Sequence, residues 1–456
     1  MANREHWSSR LGFVLAAAGS AIGLGNLWKF PYITYENGGG SFVLVYLVCV
    51  ALIGLPIMVA ETLLGRRAGT SVVGAFRVLA PHARYCQIIG WLGVAAGFVI
   101  LSYYSVVAGW TLEYAVRASS GYFDGMDAQQ VSASFGSFLA DPVRQVGWHA
   151  VFMLLTMGVV MGGVKRGIER WARILMPVLL ALIVALMVYS LVTGDAISAF
   201  RFVFRLSPVS KHGVLEAMGH AFFTLSLGMG AMATYGSYVS KDVGLARISL
   251  AVTAMDTAIA LGACMVLYPM IYAHGLRIEE SVGIIFTTLP SIFARIPLGG
   301  VVAPVFFLLM AFAALTSTIS LLEVVVAFGV DELGLRRRTA ALSATLIIFL
   351  FGVPSALCNG AVGWLARVRL LAKGAHELNW FDSFDYLATN WMLPLGGLLI
   401  SVFIGWVLPA AAREEEFRLG ARCGPRLPFV LWDIAIRYVS PAAVLVVLLY
   451  KVGLFG

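Results

Sequence analysis

The chain has 456 residues, of which 60% are hydrophobic and only 12% are charged. Soluble domains are roughly 45–50% apolar and about 25% charged, so this composition excludes an ordinary soluble protein and predicts a polytopic membrane protein. The net charge of +8 therefore bears on loop placement across a bilayer rather than on nucleic acid. The five scattered cysteines and seven dispersed histidines argue against a disulfide framework and a metal centre.

Apolar runs of about 20 residues predict transmembrane helices. Eleven such runs are present, numbered here as spans 1 to 11 in chain order. Residues 278–296, which hold Glu279, Glu280 and Pro290, predict a short external re-entrant or surface helix instead, because they are too interrupted to cross a bilayer. No linker-like stretch divides the chain, so one transmembrane domain is predicted over residues 1–456. The predicted spans are 9–35, 41–65, 87–116, 147–164, 172–193, 213–240, 243–273, 301–332, 338–357, 384–411 and 428–453.

Lysine and arginine are unevenly distributed over the predicted loops. With the N-terminus inside, and with charges near a span end counted with the adjoining loop, nineteen of the 32 lie on the internal side, eleven on the external side and two, Lys29 and Arg437, deeper within spans. This bias predicts a cytoplasmic N-terminus and, with eleven spans, an external C-terminus. The first apolar run leads into glycines and polar groups, which is not typical of a cleavable signal peptide. Short external loops without an N-x-[ST] sequence fit the inner (plasma) membrane of a bacterium.

The stretch from Gly19 to Asn26, with three glycines inside span 1, is too glycine-rich to remain helical. Backbone groups freed inside a bilayer must face protein, a cavity or a ligand, so the break is a candidate binding site. Span 6 holds a similar glycine- and hydroxyl-rich stretch around Ser226. Each break lies in the first span of a five-span half, which predicts an inverted-repeat transporter with its site between the breaks. Close helix packing is the alternative explanation of the glycines. The predicted repeats are residues 9–193 and 213–411, with an extra helix at 428–453.

Seven short motifs follow one another along the chain. Together they resemble the neurotransmitter:sodium symporter family, in particular its bacterial LeuT-type members. The resemblance covers residues 4 to about 332 and continues more weakly to about 411. It implies an all-α polytopic membrane protein with a LeuT-type 5+5 inverted repeat, broken helices 1 and 6 and about 11 transmembrane helices. The motifs are residues 4–7 (REHW), 23–26 (GLGN), 30–31 (FP), 36–40 (ENGGG), 103–104 (YY), 222–228 (FFTLSLG) and 315–317 (LTS).

The function that the resemblance implies is sodium-coupled secondary active symport. The protein would import neutral, hydrophobic L-amino acids by alternating access, and it would not be an enzyme. The predicted partners are a small-molecule amino acid and the lipid bilayer, without nucleic acid. The substrate-binding residues implied by the resemblance are Ala21, Leu24, Gly25, Ile100, Tyr104, Phe223, Thr224, Ser226, Met229, Ser317, Ser320 and Leu321.

The main chain of an amino acid needs donors for its carboxylate. The N–H groups near Leu24 and Gly25 open a half-helix whose N-terminal dipole favours an anion, and the Tyr104 hydroxyl adds a donor. Gly23 stands where monoamine transporters of the family carry aspartate, which leaves room for a substrate that brings its own carboxylate. Apolar wall residues such as Ile100 are equally well explained as bundle core. By resemblance, the ammonium group is received by the carbonyls of Ala21, Phe223 and Thr224 and by the Ser226 hydroxyl.

Sodium is a hard cation that needs a cage of oxygen atoms, and the resemblance implies two sites. Thr316 and Ser317 are one turn beyond Ala313 on one helix face, although such hydroxyls often bond to their own helix. The first site (Na1) comprises Ala21, Asn26, Thr224 and Asp256 with the substrate carboxylate. The second (Na2) comprises Gly19, Ile22, Ala313, Thr316 and Ser317.

Asp256 also bears on whether transport requires chloride. An ionisable residue inside the membrane predicts a functional role. Ala260 stands where chloride-dependent relatives have serine, so Asp256 is predicted to supply the negative charge and chloride is not required. A protonated, hydrogen-bonded Asp256 in the core is the alternative. Glu61 in span 2 is by resemblance a buried brace for the unwound backbone.

Charged and aromatic residues near the two surfaces match the family's gates. Lys29 and Asp385 match an outer pair that closes over the site. Relatives usually have arginine in place of Lys29, and lysine lacks the bidentate fork, so this gate is predicted to be looser or water-mediated. A solvated interfacial charge is the alternative for Lys29. The inner gate residues are Arg4, Asp331, Trp7, Ser237 and Tyr238.

Three other functions remain to be weighed. A membrane-embedded enzyme would need a nucleophile and base or a metal cluster, which the histidines and cysteines do not supply. A channel would need a continuous pathway rather than two opposed gates. A sodium-dependent membrane sensor that binds an amino acid without transporting it would use the same pocket.

Overall fold

Long apolar helices dominate the fold in the computed structural model, which describes residues 5–275, 283–368, 370–373, 376–420 and 427–451. Within these residues, nine helices are long and apolar enough to cross a membrane. They coincide with predicted spans 2 to 5 and 7 to 11. The first four are Gly40–Ala68, Arg84–Ser119, Pro142–Met161 and Val164–Thr193, and the last five are Leu245–Ala273, Gly299–Asp331, Arg337–Leu357, Trp380–Val407 and Pro428–Tyr450.

Span 1 is broken, as predicted. Its halves, Arg10–Ala21 and Gly25–Glu36, meet at an angle of 55° and together qualify as one span. The break is shorter than the predicted stretch from Gly19 to Asn26, because the first helix continues to Ala21 and a π-helical turn starts at Gly25. Packing of Gly19 against span 8, where a β-carbon would lie 3.1 Å from Thr316 Cβ, stabilises the helix despite its low helix propensity.

Span 6 is also broken. It consists of two helices, Lys211–Thr224 and Ala231–Gly236, separated by residues 225–230. The left-handed backbone needed there is supplied by Gly228 and Gly230, with φ of 80° and 74°, but also by Ser226 at φ 54°. A positive φ is costly for a residue with a side chain, so Ser226 is held in place by its surroundings.

Helix starts were the least accurate prediction. Span 4 begins at Pro142, well before the predicted residue 147, because Asp141 accepts hydrogen bonds from the backbone N–H groups of Val143 and Arg144 as an N-cap. An acidic N-cap followed by proline at the first helical position is a standard start signal. The apolar run alone missed this polar first turn.

The remaining elements are short. The described part of segment 278–296 forms two small helices, while residues 276–282 lie outside the described residues. Phe286 and Ile292 in these helices are buried, so the segment packs onto protein. A small antiparallel hairpin joins Leu371–Lys373 to His376–Leu378. The other short helices are Val72–Leu79, Ala128–Leu139, Ala196–Phe204, Gly283–Phe286, Thr288–Phe293, Leu365–Arg367 and Ala410–Arg418.

Burial separates central from peripheral spans. The most apolar window of span 8 is 78% buried and that of span 3 is 72% buried, against 28% for span 11. Spans 3 and 8 therefore lie inside the bundle beside the two broken spans. Span 2 packs directly on the second half of span 6, where a β-carbon on Gly65 would lie 1.8 Å from the Ala233 carbonyl oxygen. Small residues allow such close helix approach.

Candidate functional site

A cavity lies where the two breaks meet spans 3 and 8. The space between the protein atoms there, including space that is open to solvent, amounts to about 400 Å³. None of the described residues that line it carries a charged side chain. All predicted substrate-binding residues except Leu24 contribute to its wall, so the fold brings together residues that are up to 300 positions apart. The lining residues are Ser20, Ala21, Gly23, Gly25, Asn26, Ile100, Tyr104, Phe223, Thr224, Ser226, Met229, Ser317, Ser320 and Leu321.

Leu24 has a different place from the one predicted. Its N–H donates to the Tyr104 hydroxyl oxygen at 3.0 Å and does not face the cavity. Because the Tyr104 oxygen accepts this bond, its hydrogen can be donated to a nearby acceptor such as the Ser317 hydroxyl or a bound ligand. Leu24 therefore acts on the cavity through Tyr104, while Gly25 lies directly in the wall.

The glycines of the span 1 break are required by close packing. A β-carbon on Gly23 would lie 2.8 Å from Ser317 Oγ and 3.0 Å from the Tyr104 hydroxyl oxygen. On Gly25 it would lie 2.8 Å from the Phe223 ring. Any side chain at these positions would occupy cavity space, so the glycines keep the main chain of the break accessible.

Three of the four predicted Na1 residues, Asn26, Thr224 and Asp256, form a hydrogen-bonded group with Tyr46, named here the Asp256 cluster, and the fourth, Ala21, lines the cavity. The Thr224 hydroxyl donates to the Asp256 carboxylate at 3.0 Å. Asn26 Nδ2 donates to Asp256 Oδ1 at 2.7 Å and to Thr224 Oγ1 at 2.9 Å. The Tyr46 hydroxyl is 3.4 Å from Asp256 Oδ2. Asp256 is fully buried, so its oxygen atoms are held by side chains from three other segments.

The predicted Na2 residues, named here the span 8 cluster, are Gly19, Ile22, Ala313, Thr316 and Ser317. The Thr316 hydroxyl donates to the Ala313 carbonyl at 3.0 Å, and the Ser317 hydroxyl is 3.3 Å from the carbonyls of both Ala313 and Ser20. Gly19 packs on Thr316. These oxygens are neutral and close together, but the hydroxyls are bonded largely within their own helix.

Glu61 contacts the break in span 6. Its Oε1 accepts a hydrogen bond from the Gly228 N–H at 2.6 Å, and its side chain is fully buried. A freed backbone donor in the membrane interior needs such a partner. The arrangement matches the predicted brace.

Aromatic packing closes the end of the bundle that carries the predicted inner gate. Trp7 Nε1 donates to the Tyr235 carbonyl at 3.0 Å, and the indole packs edge-on against Tyr235 and Tyr238. The Tyr238 hydroxyl donates to Glu323 Oε1 at 2.7 Å. Trp7 is 8% exposed, so the rings at this end of the bundle are buried.

Two other predicted inner-gate residues, Ser237 and Asp331, form hydrogen bonds with residues of neighbouring turns or helices. The Ser237 hydroxyl donates to the Thr234 carbonyl at 2.6 Å. The Asp331 carboxylate accepts from the Thr70 hydroxyl at 3.4 Å. Arg4 lies outside the described residues.

The predicted outer pair is not in contact. Lys29 and Asp385 both belong to the described residues, but no ion pair within 4.0 Å joins them. The Lys29 ammonium instead lies 4.8 Å from the centroid of the Phe223 ring, a cation–π contact. The prediction of a looser gate agrees with this separation, and its gating role remains a prediction.

Sequence reasoning missed one cavity residue and assigned two others different roles. Ser20 lines the cavity but was not predicted as a substrate contact. Gly23 was predicted as a selector and Asn26 as an ion ligand, and both also line the wall. One signal in the sequence could have identified Ser20. It is a hydroxyl-bearing residue within the predicted glycine-rich break, where side chains are expected to face a cavity.

Comparisons with known proteins identify the family. The sequence profile of the sodium:neurotransmitter symporter family matches residues 4–124 and 138–455. YhdH, an uncharacterized sodium-dependent transporter of Bacillus subtilis, is 36% identical over 452 residues, which cover 99% of this chain and 98% of the relative. An uncharacterized sodium-dependent transporter of Haemophilus influenzae is 28% identical over 457 residues, which cover 97% of each chain.

The fold is similar to a solved transporter structure. The crystal structure of MhsT in complex with L-phenylalanine matches with a TM-score of 0.89 and 44% identity, covering 98% of this chain and 100% of the other. This match confirms the predicted fold class with its two broken helices. Family members are transporters rather than enzymes. The chain therefore belongs to the sodium:neurotransmitter symporter family, as a multi-pass, sodium-dependent symporter with the LeuT fold.

Proposed function

We propose that this symporter imports neutral, hydrophobic L-amino acids by alternating access. The observation that supports it best is the composition of the cavity wall. The wall has the Tyr104 hydroxyl, whose oxygen accepts from Leu24 and whose hydrogen can be donated, exposed main chain at a helix break and, among the described residues, no charged side chain. A zwitterionic amino acid supplies its own opposite charges and needs only such dipolar groups. The complex of MhsT with L-phenylalanine is consistent with this substrate class.

The substrate main chain would lie against the two breaks. Its carboxylate accepts from the Tyr104 hydroxyl and the half-helix that starts at Gly25, where the dipole favours an anion. Its ammonium group donates to the carbonyls of Ala21, Phe223 and Thr224. The Ser226 hydroxyl adds an acceptor, since its hydrogen is donated to the Ser20 carbonyl and its lone pairs remain. Ile100, Met229 and Leu321 would contact the substrate side chain.

Two sites would bind the sodium that drives uptake. The Asp256 cluster with the Ala21 carbonyl and the substrate carboxylate would hold the first ion. Direct contact between ion and substrate makes each bind more tightly when the other is present. The span 8 cluster would hold the second ion between spans 1 and 8. Chloride would not be required, because the Asp256 carboxylate already provides a negative charge beside the first ion.

Alternating access would move the broken spans between two gates. In the described conformation the inner end is covered by Trp7 and Tyr238, while Lys29 and Asp385 are apart. Substrate and sodium would enter from outside, and release would require the Trp7 contacts to open. The inverted repeats would correspond to residues 9–193 and 213–411. We place the protein in the inner (plasma) membrane with the N-terminus in the cytoplasm and the C-terminus outside.

Uptake into proteoliposomes tests this proposal. Purified protein is reconstituted, and labelled neutral amino acids are supplied with sodium or choline outside. Saturable uptake in sodium only is expected. Equal uptake in choline would contradict symport, and sodium-dependent binding without uptake would favour the sensor function.

A matched pair of glycine variants ties uptake to the cavity. Gly23→Ala is expected to reduce amino-acid binding at least about 10-fold, because the added methyl group would displace Ser317 or Tyr104. Gly219→Ala, on the first half of span 6 with no atom within 4 Å of the added carbon, is expected to leave binding unchanged. Equal effects of the two changes would contradict the proposed site.

A further inference from the structure

The cavity wall contains a pair of serine hydroxyls in contact with each other. Ser20, in the last turn before the span 1 break, and Ser320, on span 8, both line the cavity. Their Oγ atoms are 2.7 Å apart, and their side chains are almost completely buried. The wall therefore has one polar site, the Ser20–Ser320 pair, in addition to the groups proposed to bind the main chain of the substrate.

The hydrogen-bond directions at this pair are fixed by chemistry. Ser320 Oγ lies 2.8 Å from the Ser317 carbonyl oxygen, which only accepts, so Ser320 donates its single hydrogen there. The contact between the two hydroxyls then requires Ser20 to donate to Ser320. Both hydrogens are used, and Ser20 Oγ keeps two lone pairs for which the described residues provide no donor.

Ser20 is held rigidly in this position. Its carbonyl oxygen accepts from the Ser226 hydroxyl at 2.8 Å and from the Ser317 hydroxyl at 3.3 Å. Ser226 adopts its unfavourable positive φ to make this contact. Two segments, spans 6 and 8, therefore fix this serine of span 1, and a preorganised acceptor costs a ligand little reorganisation.

The position of the pair matches the end of a ring-sized side chain. Ser317 Oγ lies beside the Tyr104 hydroxyl, since both would contact the same β-carbon on Gly23. Ser320 is three residues further along span 8, about 4.5 Å of helix rise. A substrate anchored at Tyr104 would thus meet Ser20 with the far part of its side chain, between the apolar walls of Ile100 and Leu321.

Building on the proposed function, we propose that Ser20 Oγ accepts a hydrogen bond from the substrate side chain and that the preferred substrates are aromatic L-amino acids whose ring carries an N–H or O–H donor. The apolar wall favours the ring, and the lone pairs of Ser20 favour the donor. The absence of charged residues in the wall excludes acidic and basic side chains. One neutral hydrogen bond corresponds to roughly 3- to 10-fold in affinity.

Two ligand pairs test the preference in the unmodified protein. L-tryptophan is compared with 3-benzothienyl-L-alanine, in which sulfur replaces the indole N–H, and L-tyrosine with L-phenylalanine. Binding to purified protein is measured in saturating sodium by displacement of a labelled amino acid. The donor-bearing member of each pair is expected to bind roughly 3- to 10-fold more tightly. Equal affinities within both pairs would overturn the inference.

A variant then assigns the preference to Ser20. Ser20→Ala is expected to bring the tryptophan to benzothienylalanine affinity ratio close to one. Ser401→Ala removes a buried hydroxyl that bonds only to the Gly397 carbonyl of its own helix and is expected to keep the wild-type ratio. An unchanged ratio in Ser20→Ala would contradict the role of Ser20. If that variant fails to fold, the wild-type ratios still decide the inference.

The result separates the two proposals. Sodium-dependent binding of all four ligands with equal affinity within each pair would refute the ring-donor preference alone. No sodium-dependent binding of any neutral amino acid would refute the proposed function itself.

Discussion

The two clusters proposed to hold sodium differ in charge and in their existing bonds. The Asp256 cluster contains a buried carboxylate whose hydrogen-bond donors come from spans 1, 2 and 6. The span 8 cluster contains only neutral oxygens, and its hydroxyls bond mainly to the Ala313 carbonyl one turn away. A buried charge is costly unless paired, whereas a hydroxyl bonded to its own helix is stable without a ligand. We therefore expect a bound cation to stabilise the first cluster more than the second.

The largest expected effect is at Asp256. Asp256→Ala removes the charge and is expected to weaken sodium-dependent substrate binding roughly 30-fold or more, because interactions with a charged group contribute about 1.5–3 kcal/mol. A sodium titration of labelled amino-acid binding measures it. Asp256→Asn keeps an oxygen and the side-chain shape, so it is expected to lose less. Equal sodium affinity in wild type and Asp256→Ala would remove the distinction between the clusters.

A smaller effect is expected at Thr224. Its hydroxyl accepts from Asn26 and donates to Asp256, so Thr224→Val loses one oxygen but keeps the charge. Sodium affinity is expected to fall about 5- to 10-fold in the same titration. A loss as large as that of Asp256→Ala would show that the geometry of the cluster, rather than its charge, dominates.

A still smaller effect is expected in the span 8 cluster. Thr316→Val removes a neutral oxygen and is expected to weaken sodium binding only about 3-fold. Thr318→Val is the matched control, because the Thr318 hydroxyl contacts Thr156 at 2.9 Å outside the cavity. A larger loss in Thr316→Val than in Asp256→Ala would reverse the comparison.

No effect is expected from chloride. Replacing chloride with gluconate should leave sodium-dependent uptake of the wild type unchanged, since Asp256 already carries the negative charge and Ala260, one turn away, is buried and apolar. Uptake that disappears without chloride would contradict the charge assigned to Asp256.

Much of the fold was predictable from the sequence because the bilayer restricts a chain to few structures. All nine unbroken spans were found from apolar run length, and both breaks from glycine and hydroxyl content. The start of span 4 was missed because its first turn is polar, although Asp141 and Pro142 marked it. The length of the break in span 1 was overestimated, because packing of Gly19 on Thr316 overrides the intrinsic cost of glycine in a helix.

The candidate site was only partly accessible to such reasoning. Eleven of the twelve substrate-binding residues predicted from the family resemblance line the cavity wall. Leu24 differed because its N–H has a partner, the Tyr104 hydroxyl, that no local pattern reveals. Likewise, the sequence does not reveal that Lys29 contacts the Phe223 ring rather than Asp385.

The sequence by itself determined that this chain spans a membrane, breaks two of its helices and leaves glycine where a side chain would fill the site. Run length and the absence of a side chain are local properties, so they are visible in the sequence. Only the tertiary structure decided which donors and acceptors remain free. The lone pairs of Ser20 depend on the hydroxyl of Ser320, 300 residues away, and hydrogen-bond satisfaction is a property of neighbours in space.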